Sequence, residues 1–250
     1  MRFADRVALV TGGGSGIGRA VAVALAHEGA SVVVTGRSSA GLRETVALID
    51  GPALAVPADV TDPDAMDALF ARIADEYGRL DTAVNSAGTI GAAGPVGDVD
   101  RAEWQRLLDV NLTGVLVSMQ YEIAAMRGPG RTGGTIVNVA SNLGAHRRMA
   151  GLGAYAASKA AVSALTRAAA LDHIREGIRI NAVSPGPADT AMSLRPGEGP
   201  SDRDARLRAH SPIGRVGGLD EIASAVLYLA SAESGYAVGT DLVVDGGAAA

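Results

Sequence analysis

The sequence contains no cysteine, which removes disulfides, thiolate nucleophiles and Cys-ligated metal together and accords with a reducing compartment. Lysine is nearly absent as well: of 22 basic side chains, 21 are Arg and one is Lys, at position 159. Aromatics make up 3% of the chain, so the core must be built from small aliphatic side chains, and a stacking pocket for a large planar ligand is disfavoured. No uninterrupted apolar run approaches the roughly 18 residues that span a bilayer. The opening stretch, Met1-Arg2-Phe3-Ala4-Asp5-Arg6, lacks the apolar segment and small-residue cleavage site of a signal peptide. Acidic groups outnumber basic ones 27 to 22, for a formal net charge of -5, and no basic block or basic-aromatic stripe is present, so nucleic acid is a poor partner. These absences predict a soluble, cytoplasmic protein with no membrane, nucleic-acid or metal partner.

What is present points to one large α/β domain. The chain has 250 residues, 48% hydrophobic, with 33 Gly. Short β-branched runs alternate with longer helical stretches throughout, the pattern of repeated βα units around a parallel sheet. Strands are expected at 7–10, 31–35, 53–57, 80–84, 135–139, 179–183 and 241–244. Helices are expected at 16–28, 39–50, 62–77, 101–127 with a break near 109, 154–175 and 219–231. The strands are continuously apolar rather than alternating, so both faces of the sheet should be covered. The expectation is a Rossmann-type, doubly wound, seven-stranded parallel sheet in three layers, a single domain over 1–250. Only Pro185 to Pro212 has no clear period. Because it leaves the carboxyl end of a strand, where ligands of such sheets bind, a substrate lid containing short helices is expected at about 187–212.

After the first strand comes Thr11-Gly12-Gly13-Gly14-Ser15-Gly16-Ile17-Gly18, and a helix opens at once. Glycines allow a tight turn and close backbone approach, and the free N–H groups at the helix start attract a pyrophosphate. This assigns Gly12, Gly14, Ser15, Gly16, Ile17 and Gly18 to dinucleotide binding. In such folds an acidic residue about 20 positions on usually binds the adenosine ribose. Here the second strand is followed by Gly36, Arg37 and Ser38. A missing carboxylate removes repulsion toward a 2′-phosphate, and Arg supplies a fork for one. NADPH is therefore favoured, with NAD possible if Arg37 is only a solvated loop charge. Asp59 and Val60 end the third strand and Asn85-Ser86-Ala87-Gly88 the fourth, where the adenine edge and the ribose–nicotinamide backbone would pass. Asp59 is equally placed to cap the helix starting near Thr61.

Tyr155 and Lys159 lie four apart in a helical stretch and so project from one face. A phenol titrates near 10 and is a poor base at neutral pH. A positive charge about 5 Å away, at an effective dielectric of about 20, favours the phenolate by about 3 kcal/mol, roughly 2 pK units. Lys suits this better than Arg because its compact ammonium can approach the phenol while donating to ribose hydroxyls.

Taken together, Thr11 to Gly18, Asn85 to Gly88, Asn111, Ser141, Tyr155, Lys159, Pro185-Gly186 and Asp245-Gly246-Gly247 make the whole chain resemble the short-chain dehydrogenase/reductase family. The resemblance implies Tyr155 as general acid in ketone reduction and general base in alcohol oxidation, and Ser141 as the hydrogen-bond donor to the substrate oxygen. It also implies that Lys159 binds the nicotinamide ribose and lowers the Tyr pKa, and that Asn111 holds a water in a proton relay. Pro185, Gly186, Ala188 and Thr190 would line the nicotinamide end, with Thr190 on the carboxamide. Structural duties stay open: Asn111 could bend its helix, Ser141 cap a turn and Thr190 start a short helix. The chain departs from the family pattern at Ser86, where a second Asn is common, and in a Ser141–Tyr155 interval about one residue longer than usual. Ala188 stands where a branched aliphatic is common, leaving that end roomier.

The function implied is an NADPH-dependent carbonyl reductase or secondary-alcohol dehydrogenase acting on a small-molecule ketone or alcohol. The alternatives are an NAD-dependent alcohol dehydrogenase running the oxidation and, remotely, a non-catalytic dinucleotide sensor. Substrate contacts are sought in Thr89 to Val96, Asn142 to Leu152 and Pro187 to His210. The run His146-Arg147-Arg148 beside Ser141 raises the question of a polar or anionic substrate, unless it faces solvent or another subunit. Asn111 to Met126 and Tyr155 to Asp172 are apolar around much of their circumference, and a homotetramer is expected.

Overall fold

The computed structural model describes residues 1–91, 93–127, 133–195, 197–208 and 211–250. Positions 92, 196, 209 and 210, which the expected substrate segments include, lie outside the described residues. The strands are β1 (Val7–Thr11), β2 (Ser31–Gly36), β3 (Ala53–Pro57), β4 (Thr82–Asn85), β5 (Gly134–Val139), β6 (Ile178–Pro185) and β7 (Asp241–Val244). They form one parallel sheet in the order β3-β2-β1-β4-β5-β6-β7. The order reverses between β1 and β4, and the crevice outside their carboxyl ends is where such sheets bind ligands.

The helices are α1 (Gly16–His27), α2 (Ser39–Val46), α3 (Pro63–Tyr77), α4 (Arg101–Leu108), α5 (Gly114–Met126), α6 (Gly153–His173), α7 (Pro200–Arg208) and α8 (Leu219–Ala230). On one face, Val21 and Leu25 of α1 and Ile222 and Val226 of α8 pack under Ala8, Val10, Val34 and Val183. On the other, Met66 and Leu69 of α3, Met119 and Ile123 of α5 and Val162 of α6 pack under Leu9, Val33, Ile136 and Ile180. Successive strand residues thus enter opposite cores, which explains their unbroken apolar runs. Each fully buried aliphatic side chain contributes about 1.5–3 kcal/mol.

Local sequence sets the helix ends. Asp62 accepts from the N–H groups of Asp64 and Ala65 (3.0 and 3.3 Å), Pro63 follows it, and Gly78 closes α3 at φ 66°. At the far end of α8, the Arg179 guanidinium donates to the carbonyls of Leu229, Ser231 and Ser234. The helix expected over 39–50 stops at Val46, ahead of Gly51-Pro52. The break expected near 109 is a π turn over Asp109–Thr113 between α4 and α5, the widened geometry that often marks functional sites. Within the segment expected as a lid lie a 3-10 turn at Ala191–Ser193 and α7.

A polar chain crosses the second core. Asn85 Nδ2 donates to Glu122 Oε2 and Asn138 Oδ1 (3.0 Å each), and Asn138 Nδ2 donates to Thr166 Oγ1 (2.9 Å). Glu122 is completely buried, and burial pushes its carboxyl up to about 8, the Asn85 bond pulling the other way. Between the unfolded value near 4.5 and about 8, the folded chain therefore holds a proton that the unfolded chain releases. Stability then falls as pH rises through that window. In Glu122→Gln, whose amide oxygen can still accept from Asn85, that slope should disappear. Urea unfolding across pH 5–9 should find the variant more stable than wild type at the alkaline end and the gap closing toward pH 5.

Candidate active site

The glycine-rich turn is shaped by what lies against it. Thr11 Oγ1 accepts from the N–H groups of Ser86 and Ala87 (3.2 Å each) and ties β1 to the stretch after β4. Gly12 has φ 66°, and a Cβ there would meet the Ser86–Ala87 backbone at 2.8 Å. At Gly18 a Cβ would collide with the Gly12 carbonyl, and at Gly16, φ 52°, it would reach the Thr190 methyl at 3.3 Å. Ser15 starts α1 in extended backbone and makes no side-chain cap, which leaves the first N–H groups of α1 for an anion. Gly14 meets α2 at Gly41, and Ile17 packs on the first core. This glycine cradle and open helix start fit a dinucleotide pyrophosphate. Arg19, which the motif does not reveal, braces the turn: it donates to the carbonyls of Gly14 (2.5 Å) and Gly41 (3.2 Å), to Thr45 Oγ1 and to Glu44.

Beyond the ends of β2 and β3, Arg37, Asp59, Val60, Thr89, Leu107 and Val110 line a cleft of about 540 Å³. Arg37 is exposed and has no ion pair among the described residues. Ser38 accepts from Gly41 N–H (3.1 Å) and caps α2. Asp59 accepts from both the N–H and the hydroxyl of Thr61 (3.0 and 2.8 Å). It therefore closes the turn before α3 rather than capping the helix, a duty that falls to Asp62.

Four elements converge at Gly88. A Cβ at this glycine would meet Asn111 Oδ1 at 3.3 Å and Lys159 Nζ at 3.5 Å. Asn111, completely buried in the π turn, accepts from Thr89 N–H and donates to Thr89 O (2.8 Å each) and to Ser158 Oγ (3.1 Å). It straps the chain after Gly88 to α6. Lys159 is buried and donates to Val139 O at 2.8 Å. Ser141 Oγ accepts from Leu143 N–H (3.1 Å), and its hydroxyl pulls the pKa of the Tyr155 phenol downward. Asn138, just ahead, serves the buried polar chain. Asn85 serves that chain as well, while Ala87 and Gly88 continue from it to the cleft.

The titration behaviour corrects one expectation. Burial raises the Tyr155 phenol, and the influence of the Ser141 hydroxyl only partly opposes this. Burial also lowers the Lys159 ammonium to about 8. The expected depression of the phenol by Lys159 is thus absent in the protein alone, because desolvation disfavours both charged forms and Nζ is turned to the Val139 carbonyl.

The remaining expected residues follow β6 and the turn after β5. Gly186 lies so close to Asp245 that a Cβ would approach its Cβ at 2.6 Å, and Pro185 O accepts from Asn142 N–H (2.9 Å). Ala188 is buried. Thr190 precedes the 3-10 turn without capping it through its side chain. His146 turns to Asp241 of β7 (2.9 Å) and Arg148 NH1 to the Ala145 carbonyl at 3.5 Å. In α7, buried Arg203 pairs with Asp189 (2.7 Å), and Arg206 pairs with Glu198 (2.6 Å). The sequence offered no local signal for either contact.

A doubly wound sheet, a dinucleotide cradle and a Ser–Tyr–Lys–Asn cluster at its crevice define a nicotinamide-dependent oxidoreductase. The family profile described as enoyl-(acyl carrier protein) reductase matches residues 12–249. The cis-4-hydroxycyclohexanecarboxylate dehydrogenase of Sinomonas cyclohexanicum is 42% identical over 98% of this chain and 97% of its own. The cyclohexanol dehydrogenase of Acinetobacter sp. (strain SE19) is 36% identical over 98% and 95%. The crystal structure of levodione reductase superposes with a TM-score of 0.92 at 36% identity, covering 98% of both chains. The chain belongs to the short-chain dehydrogenase/reductase family, oxidoreductases acting on hydroxyl and carbonyl groups, which bind a nicotinamide dinucleotide. No helix among the described residues is long and apolar enough to cross a membrane.

Lys159→Arg keeps the charge, but a planar guanidinium does not fit a pocket that holds one ammonium against Val139 O. Its kcat/KM should fall by at least about 100-fold with the folded state retained, read by steady-state turnover beside circular dichroism.

Proposed function

We propose that the protein is an NADPH-dependent carbonyl reductase and secondary-alcohol dehydrogenase for alicyclic substrates. The observation that carries this is the meeting of Lys159 Nζ and Asn111 Oδ1 at Gly88, with Tyr155 one helical turn ahead of Lys159 on α6 and buried like it. In reduction, Tyr155 donates its phenolic proton to the substrate oxygen, and in oxidation it accepts it back. The burial that raises its pKa keeps that proton in place until a substrate oxygen takes on charge. Ser141 donates a second hydrogen bond to the same oxygen and orients the carbon. Lys159 would donate to the nicotinamide ribose, and Asn111 would hold a water in the relay that returns a proton to the phenol. Bound in this cradle, a nicotinamide dinucleotide would supply or receive the hydride. Gly12 to Gly18 hold the pyrophosphate, Asp59, Val60, Ala87 and Gly88 flank the adenosine and ribose, and Pro185, Gly186, Ala188 and Thr190 flank the nicotinamide.

Cofactor preference rests on Arg37, exposed beside Asp59 at the adenosine end and available for a 2′-phosphate. Substrate class rests on the mouth segments, where Ile90, Val96, Met149 and Met192 are all exposed while His146 is committed to Asp241. An apolar rim suits a cyclic hydrocarbon bearing one oxygen, and two of the relatives above are named for cyclohexane alcohols. The segment at about 187–212, latched through Arg203 and Arg206, serves as the lid. Leu116 on α5 and Leu171 on α6, 40% and 75% exposed, are the apolar faces of a homotetramer. A cytoplasmic setting accords with the absence of cysteine and with NADPH as reductant.

The test is a panel of cyclohexanone, levodione, cyclohexanol and sorbitol followed at the nicotinamide absorbance. Cyclic substrates should lead. Tyr155→Phe should lose about 100-fold or more, and activity surviving that change refutes the mechanism. Arg37→Ala should lower kcat/KM for NADPH about tenfold or more while sparing NADH. Equal use of both cofactors by wild type overturns the NADPH assignment. Light scattering should give the mass of four chains.

A further inference from the structure

We propose that His146 is a positioning residue for Ser141, acting through a tie to Asp241 that fixes the turn after β5. The proposal rests on the reading that Ser141 bonds the substrate oxygen. Asp241, the first residue of β7, is buried on its side chain and belongs to neither the cofactor cradle nor the catalytic cluster. Its Oδ1 accepts from Ser184 Oγ at 2.6 Å and its Oδ2 lies 2.9 Å from His146 Nε2, with Arg167 at 3.9 Å. With Asp241 Oδ2 accepting, Nε2 carries the hydrogen in this contact.

His146 sits at the tip of a closed turn. Arg147 N–H donates to Asn142 O (2.7 Å), and Gly144 N–H donates back to Arg147 O (3.0 Å). Leu143, inside that turn, donates its N–H to Ser141 Oγ at 3.1 Å. The direction left for the Ser141 hydroxyl therefore follows the orientation of the turn. At its base, Asn142 donates to Asp245 Oδ2 (3.0 Å) and to Pro185 O. Along its flank, Gly144 rests so close to α6 that a Cβ would meet Ala160 N at 2.9 Å. These contacts fix the base and one side, and His146–Asp241 fixes the tip. Both side chains lie apart from the reacting atoms, so the effect passes through Ser141, where a displacement of about 1 Å can cost about 100-fold in rate.

The test compares wild type, Ser141→Ala, His146→Leu, His146→Gln and the Ser141→Ala/His146→Leu double variant. Activity is read with cyclohexanone or whichever panel member is turned over fastest. His146→Leu should lower kcat about tenfold with KM for the cofactor changed less than about twofold. In the ligand-free protein, amide exchange at Leu143, Gly144 and Arg147 should accelerate about tenfold. His146→Gln, whose amide can still donate to Asp241, should recover most of both. The double variant should be no slower than Ser141→Ala, because the tie acts only through that hydroxyl. Unchanged kcat in His146→Leu, or losses that multiply in the double variant, overturns the tie alone. Unchanged kcat in Ser141→Ala overturns the assigned role of Ser141 and the tie with it.

Discussion

The active site depends on one buried cation. Lys159 reaches the crevice with its ammonium out of water and one backbone carbonyl, that of Val139, as its hydrogen-bond acceptor. A charge held this way is expensive unless its surroundings are fixed. The surroundings are fixed from four sides. Gly88 gives room, Asn111 holds the next peptide, β5 supplies the carbonyl and α6 supplies the Lys. Because the unliganded pocket already lowers the ammonium toward neutrality, hydroxyl acceptors from a bound ribose would strengthen its charged form.

Around that centre the structure uses polar pairs between distant chain segments to hold strand ends in register. Thr11 joins β1 to the stretch after β4, Asn85 and Asn138 join β4 to β5, and Asn142 joins the end of β5 to Asp245 after β7. Each tie sits one to three residues from a position assigned to cofactor or substrate. Apolar packing sets how the layers stack but is tolerant of small slides. Hydrogen-bonded pairs with fixed directions are not, and they are concentrated where the geometry has to be reproducible.

The parts legible in the sequence were those written in local spacing. The glycine turn, the strand runs feeding two cores, the break near Asp109 and the Tyr155–Lys159 pair all involve neighbours within a few residues or a simple period. Glu122, Arg19 and His146 were not legible in role, because their partners lie 37, 26 and 95 residues away at Asn85, Thr45 and Asp241. Glu122 did leave a trace, as the one carboxylate in a helix apolar nearly all round. The pKa of Tyr155 misled for another reason. A Coulomb estimate from spacing includes the neighbouring charge and omits the desolvation that both groups suffer once the helix packs.

The burial of the single lysine also shapes the outside of the molecule. Every basic group that this sequence presents on its surface is a guanidinium or an imidazole, apart from the amino terminus. Chemistry directed at side-chain primary amines, whether acylation, crosslinking or the attachment of a modifier to a lysine, finds its one acceptor inside the catalytic crevice, screened from reagents in bulk water.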